Sequence, residues 1–199
     1  MIEDYSLEKR NAYNITVLSG GAIGSDTIFE SVALSYGYTV KAFSYKTSYH
    51  NSSNKVEISD KQYLEGIEHV KRANKTLKRK NISKYYPLLS RNYFQIKDTK
   101  QVFAIGTLKD FKIVNGGTGY AVQMAIDNYK PVYVFEQDLN SWFEYSYNQK
   151  RFIKCSPPYI TKDIITGIGT REINENGILA IRDLFNRIEL SSSFENKLF

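Results

Sequence analysis

Apolar residues recur along the chain with two different periods. Continuous, β-branched-rich runs lie at 15–19, 38–43, 101–106 and 130–135. Each is short and bounded by glycine, proline or a polar turn, the pattern of a strand buried on both faces. Between them the spacing becomes helical. Ile28, Val32, Ala33 and Leu34 give 26–36 an inner face, and Gly37 follows as its stop. Leu64, Ile67, Val70 and Ala73 do the same within 62–77, and Ile178, Ile181, Leu184, Phe185 and Ile188 near the end. A turn and a short helix are expected over 83–96, and a helix after the glycines at 116–119. Residues 137–147 read as a surface loop with a hairpin-like start, and 152–158 as an edge strand that Pro157-Pro158 ends. The polar stretch 44–60 is a long connection of the kind that forms lids and specificity loops. Strand and helix alternate, so an α/β fold with a mainly parallel sheet is expected. It spans 14–189 as one domain, after a polar lead-in at 1–13. A tail at 190–199 carries Phe194, Leu198 and Phe199, and is either frayed or docked on another subunit.

Glycines mark where chemistry could sit on this frame. Asn115-Gly116-Gly117-Thr118-Gly119-Tyr120-Ala121-Val122-Gln123 runs from the apolar segment 101–106 toward a helix. Such a turn brings backbone close to a ligand and aims N–H groups and a positive helix end at one spot, which suits phosphate. An ordinary tight turn is the plainer reading. A second loop of the same kind, Ser19-Gly20-Gly21-Ala22-Ile23-Gly24-Ser25-Asp26, follows the first strand at its carboxyl end, where open parallel sheets bind ligands. Its glycine spacing is not that of a dinucleotide fingerprint, and no P-loop lysine follows. Asp26 either caps the helix or offers its carboxylate to a ligand hydroxyl. A third small-residue turn, Gly167-Ile168-Gly169-Thr170-Arg171-Glu172, closes the apolar run from Ile164. Arg91 beside Asn92 offers a guanidinium fork and an amide, or simply a polar helix start.

Charge and composition add less. The 199 residues carry a net charge of +6, much of the excess lying in 71–80. That segment is a solvated helical face or, alternatively, a surface for a polyanion. Cys155 is the one cysteine, which excludes an internal disulfide. His50 and His69 have no acidic or thiol companions at useful spacing, so neither a metal nor a histidine-based triad is expected, and no motif calls for a cofactor. Tyr45 and Tyr49 are candidates to stack on a base. No apolar run reaches membrane-spanning length and no signal-peptide pattern opens the chain, so a cytoplasmic protein without membrane attachment is expected. Lys, Asn, Ile and Tyr supply 70 of the 199 residues, the bias of an AT-rich genome such as that of some phages, large viruses and firmicute-like bacteria.

Taken together the loops resemble those of the SLOG superfamily, the YpsA-like, Lonely-Guy-like and DprA-like Rossmannoid proteins. Ser19–Asp26 is similar to its S-G-G-A-x-G-A-D first loop, and Asn115–Gln123 to its P-G-G-x-G-T-x-x-E signature. Asn115 stands at the proline, Tyr120 at the threonine and Gln123 at the glutamate of that signature. Arg91-Asn92 resembles the Arg-Asn pair of YpsA-like members, and Ile168-Gly169-Thr170-Arg171 their I-G-T-R element. The resemblance covers roughly 14–188. It implies a Rossmann-like three-layer sandwich whose loops hold a nucleotide-derived ligand, an ADP-ribose-like or NAD-derived signal, without turnover. The site would comprise Ser19, Gly20, Gly21, Gly24, Ser25, Asp26, Arg91, Asn92, Gly116, Gly117, Thr118, Gly119, Tyr120, Gln123, Thr170 and Arg171. Lonely-Guy-like enzymes cleave nucleoside monophosphates with the signature glutamate. A glutamine in its place cannot act as a general base. An N-glycosidase using Asp26, Glu172 or Glu136 instead, and a DprA-like nucleic-acid binder using 71–80, are the alternatives. Relatives pair through sheet-flanking helices, so a homo-oligomer is implied. Domains of this superfamily sense such signals in antiviral systems, and a phage-encoded version would sequester them in the host cytoplasm.

Overall fold

The computed structural model describes residues 13–48 and 50–190. The lead-in (apart from Tyr13), Tyr49, and the tail (apart from Leu190) with Phe194, Leu198 and Phe199 lie outside the described residues. In chain order the elements are β1 (Thr16–Ser19), α1 (Ser25–Ser35), β2 (Thr39–Ser44), β3 (Lys55–Glu57) and α2 (Asp60–Leu77). A 3-10 turn (Ile82–Tyr85), α3 (Tyr86–Ser90) and α4 (Asn92–Lys97) lead into β4 (Gln101–Ile105). There follow a small hairpin, β5 (Leu108–Lys109) and β6 (Ile113–Val114), then α5 (Thr118–Asp127) and β7 (Val132–Glu136). The chain closes with β8 (Ser141–Ser146), β9 (Arg151–Cys155), β10 (Ile164–Gly169) and α6 (Glu175–Phe185).

Eight strands form one sheet in the order β3-β2-β1-β10-β4-β7-β8-β9, parallel from β3 to β7 and antiparallel for the last two. This is the α/β fold with a mainly parallel sheet that the alternation of periods predicts, in the Rossmann-like sandwich that the resemblance implies. Successive β4 residues face opposite layers. Val102 and Ala104 join Val70, Leu89, Ala121 and Met124 from α2, α3 and α5. Phe103 and Ile105 join Phe29, Ala33, Ile181 and Phe185 from α1 and α6. The last strand, β10, enters the middle of the sheet between β1 and β4. On one side the chain had run outward from β1 to β2, on the other from β4 to β7. The carboxyl ends of β1, β10 and β4 therefore meet at the point where the winding direction changes, where open α/β sheets leave a crevice.

Several expectations shift. Residues 137–147 are not a surface loop: β8 pairs with β7 and buries Trp142 and Phe143. An antiparallel strand needs only one covered face, so its weak apolar run gave a poor signal. The α1 face is turned from the expected one. Phe29 and Ala33 are buried beside Ser25, Asp26 and Glu30, whereas Leu34 is exposed. On α2 the buried stripe is Gly66, Val70, Ala73 and Leu77, with Leu64 in solvent. Gly66 is there because a Cβ would collide with the Ser90 carbonyl of α3. Ser59 and Gln62 close a capping box at the α2 start, through Gln62 N to Ser59 Oγ (3.3 Å) and Ser59 N to Gln62 Oε1 (2.8 Å). The 44–60 connection contains β3, paired with β2. Among the described residues no helix is long and apolar enough to cross a membrane.

Candidate functional site

A cavity of about 640 Å³ opens at the carboxyl ends of the central strands. All three glycine-bearing segments reach it: Ala22 and Asp26 after β1, Asn115 to Thr118 at the start of α5, and Ile168 to Glu172 at and beyond the end of β10. Arg91, Asn92 and Gln95 form a polar wall at the α3–α4 junction. Ile82, Tyr85, Leu88 and Leu89 add apolar lining, and Arg79 and Lys80 also line the cavity.

Of the residues expected in the site, Asp26, Arg91, Asn92, Gly116, Gly117, Thr118, Tyr120, Thr170 and Arg171 line the cavity. Ser19, Gly20, Gly21, Gly24, Ser25, Gly119 and Gln123 are not among the lining residues, and most have another engagement. Both the amide (3.0 Å) and the hydroxyl (2.8 Å) of Ser25 donate to the Thr170 carbonyl, joining the first loop to the third. Gly24 (φ 101°) lies against the backbone of Thr170 and Arg171, where a Cβ would collide with the Arg171 carbonyl. Ser19 Oγ accepts from the Gly21 amide at 3.3 Å. Gly119 packs under the Val114 carbonyl with no room for a side chain. These glycines let protein approach protein.

Gln123 is buried, and its amide donates to Asp127 Oδ1 at 2.8 Å, one helical turn on. Glu136 is also committed elsewhere, accepting from the Leu108 amide at 2.6 Å and so holding the β5–β6 hairpin. Glu172 does line the cavity. Tyr45 stacks on Tyr63 (4.1 Å, 7°) and donates to Asp60 Oδ1 at 2.9 Å, so its ring face is already covered.

Asp26 does not cap α1. Gly24 holds the cap position without any side-chain bond, and Asp26 instead accepts from the amides of Gly169 (2.9 Å) and Ala22 (3.4 Å). Burial pushes its carboxyl up to about 6, against the opposing pull of the Arg91 guanidinium and of those two amides. Arg91 is buried beside it. Its Nη1 donates to the carbonyls of Gly20 and Phe43, the latter at 3.0 Å, which braces the first loop against the end of β2. Burial depresses the Arg91 pKa, and the Asp26 charge offsets part of that. The pair thus has both a structural and an electrostatic part, and Asn92 adds a 3.3 Å bond to the Gly117 carbonyl.

Several lining residues, Gln95 and the Ile82, Tyr85, Leu88 and Leu89 side chains among them, are absent from the expected set, and the most engaged of the basic ones is Arg79. Arg79, in the basic segment 71–80, donates to the carbonyls of Gly116 and Val114 (2.8 Å to the latter) and lies 5.0 Å over the Tyr120 ring. Asn74 completes this clamp by accepting from the Arg79 amide (3.1 Å) and the Tyr120 hydroxyl (2.7 Å). Its signal in the sequence was masked by neighbouring lysines that have no such partners in view. The glycine loop at 115–117 is set apart from β4 by the β5–β6 hairpin, whose tip Asp110-Phe111 is left-handed (φ 52° and 53°). Gly116 (φ 66°) has open space around its missing Cβ, and Gly117 meets only Leu89 at 4.0 Å. These two positions present bare backbone to the cavity. Among the described residues no group of three or more His, Cys, Asp or Glu is placed to hold a metal. No protein-family model, curated protein or solved structure matches the chain.

Proposed function

We propose that this cavity binds a nucleotide-derived ligand of the ADP-ribose or NAD-derived class and holds it without turnover. The supporting observation is its two-sided lining. Bare Gly116–Gly117 backbone at the start of α5, in a cavity that Arg91 and Arg171 also line, suits a phosphate or diphosphate, and the Ile82, Tyr85, Leu88 and Leu89 side chains suit a flat base. A volume of about 640 Å³ is that of a drug-sized ligand rather than a lone anion. Gln123, tied to Asp127 and not among the lining residues, supplies no catalytic carboxylate. Binding without turnover is what a phage-type sequestering protein would require. The test is titration calorimetry with ADP-ribose and with inorganic phosphate, alongside mass analysis of anything released when the purified protein is denatured. Saturable ADP-ribose binding tighter than phosphate is expected. Equal, weak binding of both would sink the reading.

A glycosidase reading has one observation in its favour. Asp26 lines the cavity with a carboxyl raised to about 6, the range of a general acid near neutrality. Free base released from AMP or NAD, and lost in Asp26→Asn, would put that reading first.

A further inference from the structure

Helix α4 buries a glutamine among core residues. Phe94 and Ile96 pack into apolar clusters, whereas Gln95 between them, only 2% exposed, lines the cavity. Its backbone carbonyl accepts from the Thr166 hydroxyl of β10, which fixes this turn of helix to the sheet. Its side chain is poorly paired. Nε2 reaches only Asn92 Oδ1, one turn back, at a long 3.5 Å, and Oε1 accepts no bond from any described residue. A buried amide without good partners is costly and rare, so this one marks a place where a partner belongs.

Gly20 makes room for that amide. Unlike Gly21 and Gly24 in the same loop, Gly20 is not left-handed, so its backbone alone does not require glycine. A Cβ there would lie 2.6 Å from Gln95 Nε2, 2.8 Å from Asp26 Oδ2 and 3.4 Å from Arg91 Nη2. Two donors and a carboxylate oxygen thus crowd one α-carbon, and all three side chains belong to buried residues that line the cavity. No hydrogen bond joins any two of them. Asp26 Oδ2 accepts only a long 3.4 Å bond from the Ala22 amide, and the Arg91 bonds to Gly20 and Phe43 both leave from Nη1.

This polar wall adjoins the loop proposed for phosphate. Asn92 Nδ2 donates to the Gly117 carbonyl at 3.3 Å, and the Leu89 side chain lies 4.0 Å from the place of a Gly117 Cβ. A nucleotide brings a phosphate, a sugar and a base. The Asp26 carboxylate repels the phosphate, and the apolar side chains suit the base. The sugar joins those two parts, and its hydroxyls both donate to a carboxylate and accept from an amide and a guanidinium. We propose that Gln95 is a specificity-determining residue, which together with Asp26 takes the unphosphorylated 2′,3′-diol of a ribose and turns away a sugar phosphorylated there. This rests on the nucleotide-ligand reading and narrows it.

The test is titration calorimetry at about pH 8, where the Asp26 carboxyl, raised to about 6, is ionised. The probes are AMP, 2′,3′-dideoxy-AMP and adenosine 2′,5′-bisphosphate. Wild type should bind AMP at least about tenfold tighter than the dideoxy analogue, the factor that one charge-assisted hydrogen bond represents, and tighter than the bisphosphate. Gln95→Met, which keeps the volume and removes both polar atoms, should lose most of the first preference. Asp26→Asn, which keeps the shape and removes the charge, should lose the second, the bisphosphate gaining about tenfold relative to AMP. A merely structural role for these residues would weaken all three probes alike and leave both ratios unchanged, and that result overturns the proposal. Equal wild-type affinity for AMP and its dideoxy analogue, as a wall that reads a base edge or holds only water would give, overturns it without any variant. So does AMP binding no tighter than inorganic phosphate. ADP-ribose binding without these preferences refutes the diol assignment alone. The preferences without ADP-ribose binding refute the ADP-ribose reading and leave Gln95 its role.

Discussion

Gly117 gives the cleanest separation of ligand binding from folding. Its backbone lies at φ −61° and ψ −36°, a conformation open to every L-residue, so no strain follows substitution. The first atom a Cβ would meet is Leu89 Cδ2 at 4.0 Å, an ordinary contact. A larger side chain then has to extend into the cavity that Gly117 lines. For stability, exchanging glycine at a compatible φ/ψ stabilises by about 0.4–1 kcal/mol through the unfolded chain. In a protein of this size that is a Tm change of a few degrees at most, roughly 1–4 °C. For binding, an anion at a helix N-terminus contributes about 0.3–2 kcal/mol, and displacing the rest of the ligand adds to that loss. Gly117→Leu should therefore weaken ADP-ribose at least tenfold, the factor that about 1.4 kcal/mol represents, while Tm holds or rises. Gly117→Ala should fall between. The control is Gly119→Ala, whose Cβ would collide with the Val114 carbonyl; it should lower Tm, overpacking of this kind costing about 1–3 kcal/mol. Calorimetry and melting curves on the same preparations decide it. Wild-type affinity in Gly117→Leu, with Tm unchanged, would refute the placement of the ligand against this loop.

Four further outcomes are expected. Gln123→Glu should not create a glycosidase: it sets a second carboxylate against Asp127, loses the 2.8 Å bond and should destabilise by about 1–3 kcal/mol, as read by melting and by free-base release. Arg79→Ala should lower stability by about 2–3 kcal/mol and weaken ADP-ribose, because charge-assisted bonds to two carbonyls of the loop are lost. Neutralising Lys75, Lys78 and Lys80 together should change ADP-ribose affinity little at moderate salt, and a steeper loss than Arg79→Ala would favour a polyanion surface. Asp26, raised from 3.8 to about 6, binds its proton more tightly folded than unfolded. Its contribution to stability is thus fully present below about pH 4 and lost as pH climbs through 6, a change of about 3 kcal/mol. Denaturant titrations of wild type and Asp26→Asn should accordingly diverge in the variant's favour between pH 4 and 7, and parallel curves would contradict this.

What the chain determined locally is what local physics controls. Four buried-strand runs and the long helices follow from side-chain period, and they emerged close to their places. The glycine loops were legible as turns at strand ends, but not which glycines face the cavity, as Gly116 and Gly117 do, and which only let backbones pack closely, as Gly24 and Gly119 do. The faces of α1 and α2 were less legible, since Phe29 and Gly66 are selected by partners far away in sequence, and β8 carried too weak an alternation to be seen. Only the tertiary structure decided where the last strand goes. By entering between β1 and β4, β10 brings Gly169 and Thr170 onto Asp26 and Ser25, and so turns an expected helix cap into a buried carboxyl held by another strand's amide. In the same way the tertiary structure takes Arg79 from a run of solvated charge onto the loop carbonyls. Those assignments depend on pairings across tens of residues. The free energy of such pairings is set by which surfaces meet and exclude water, and no local period encodes it.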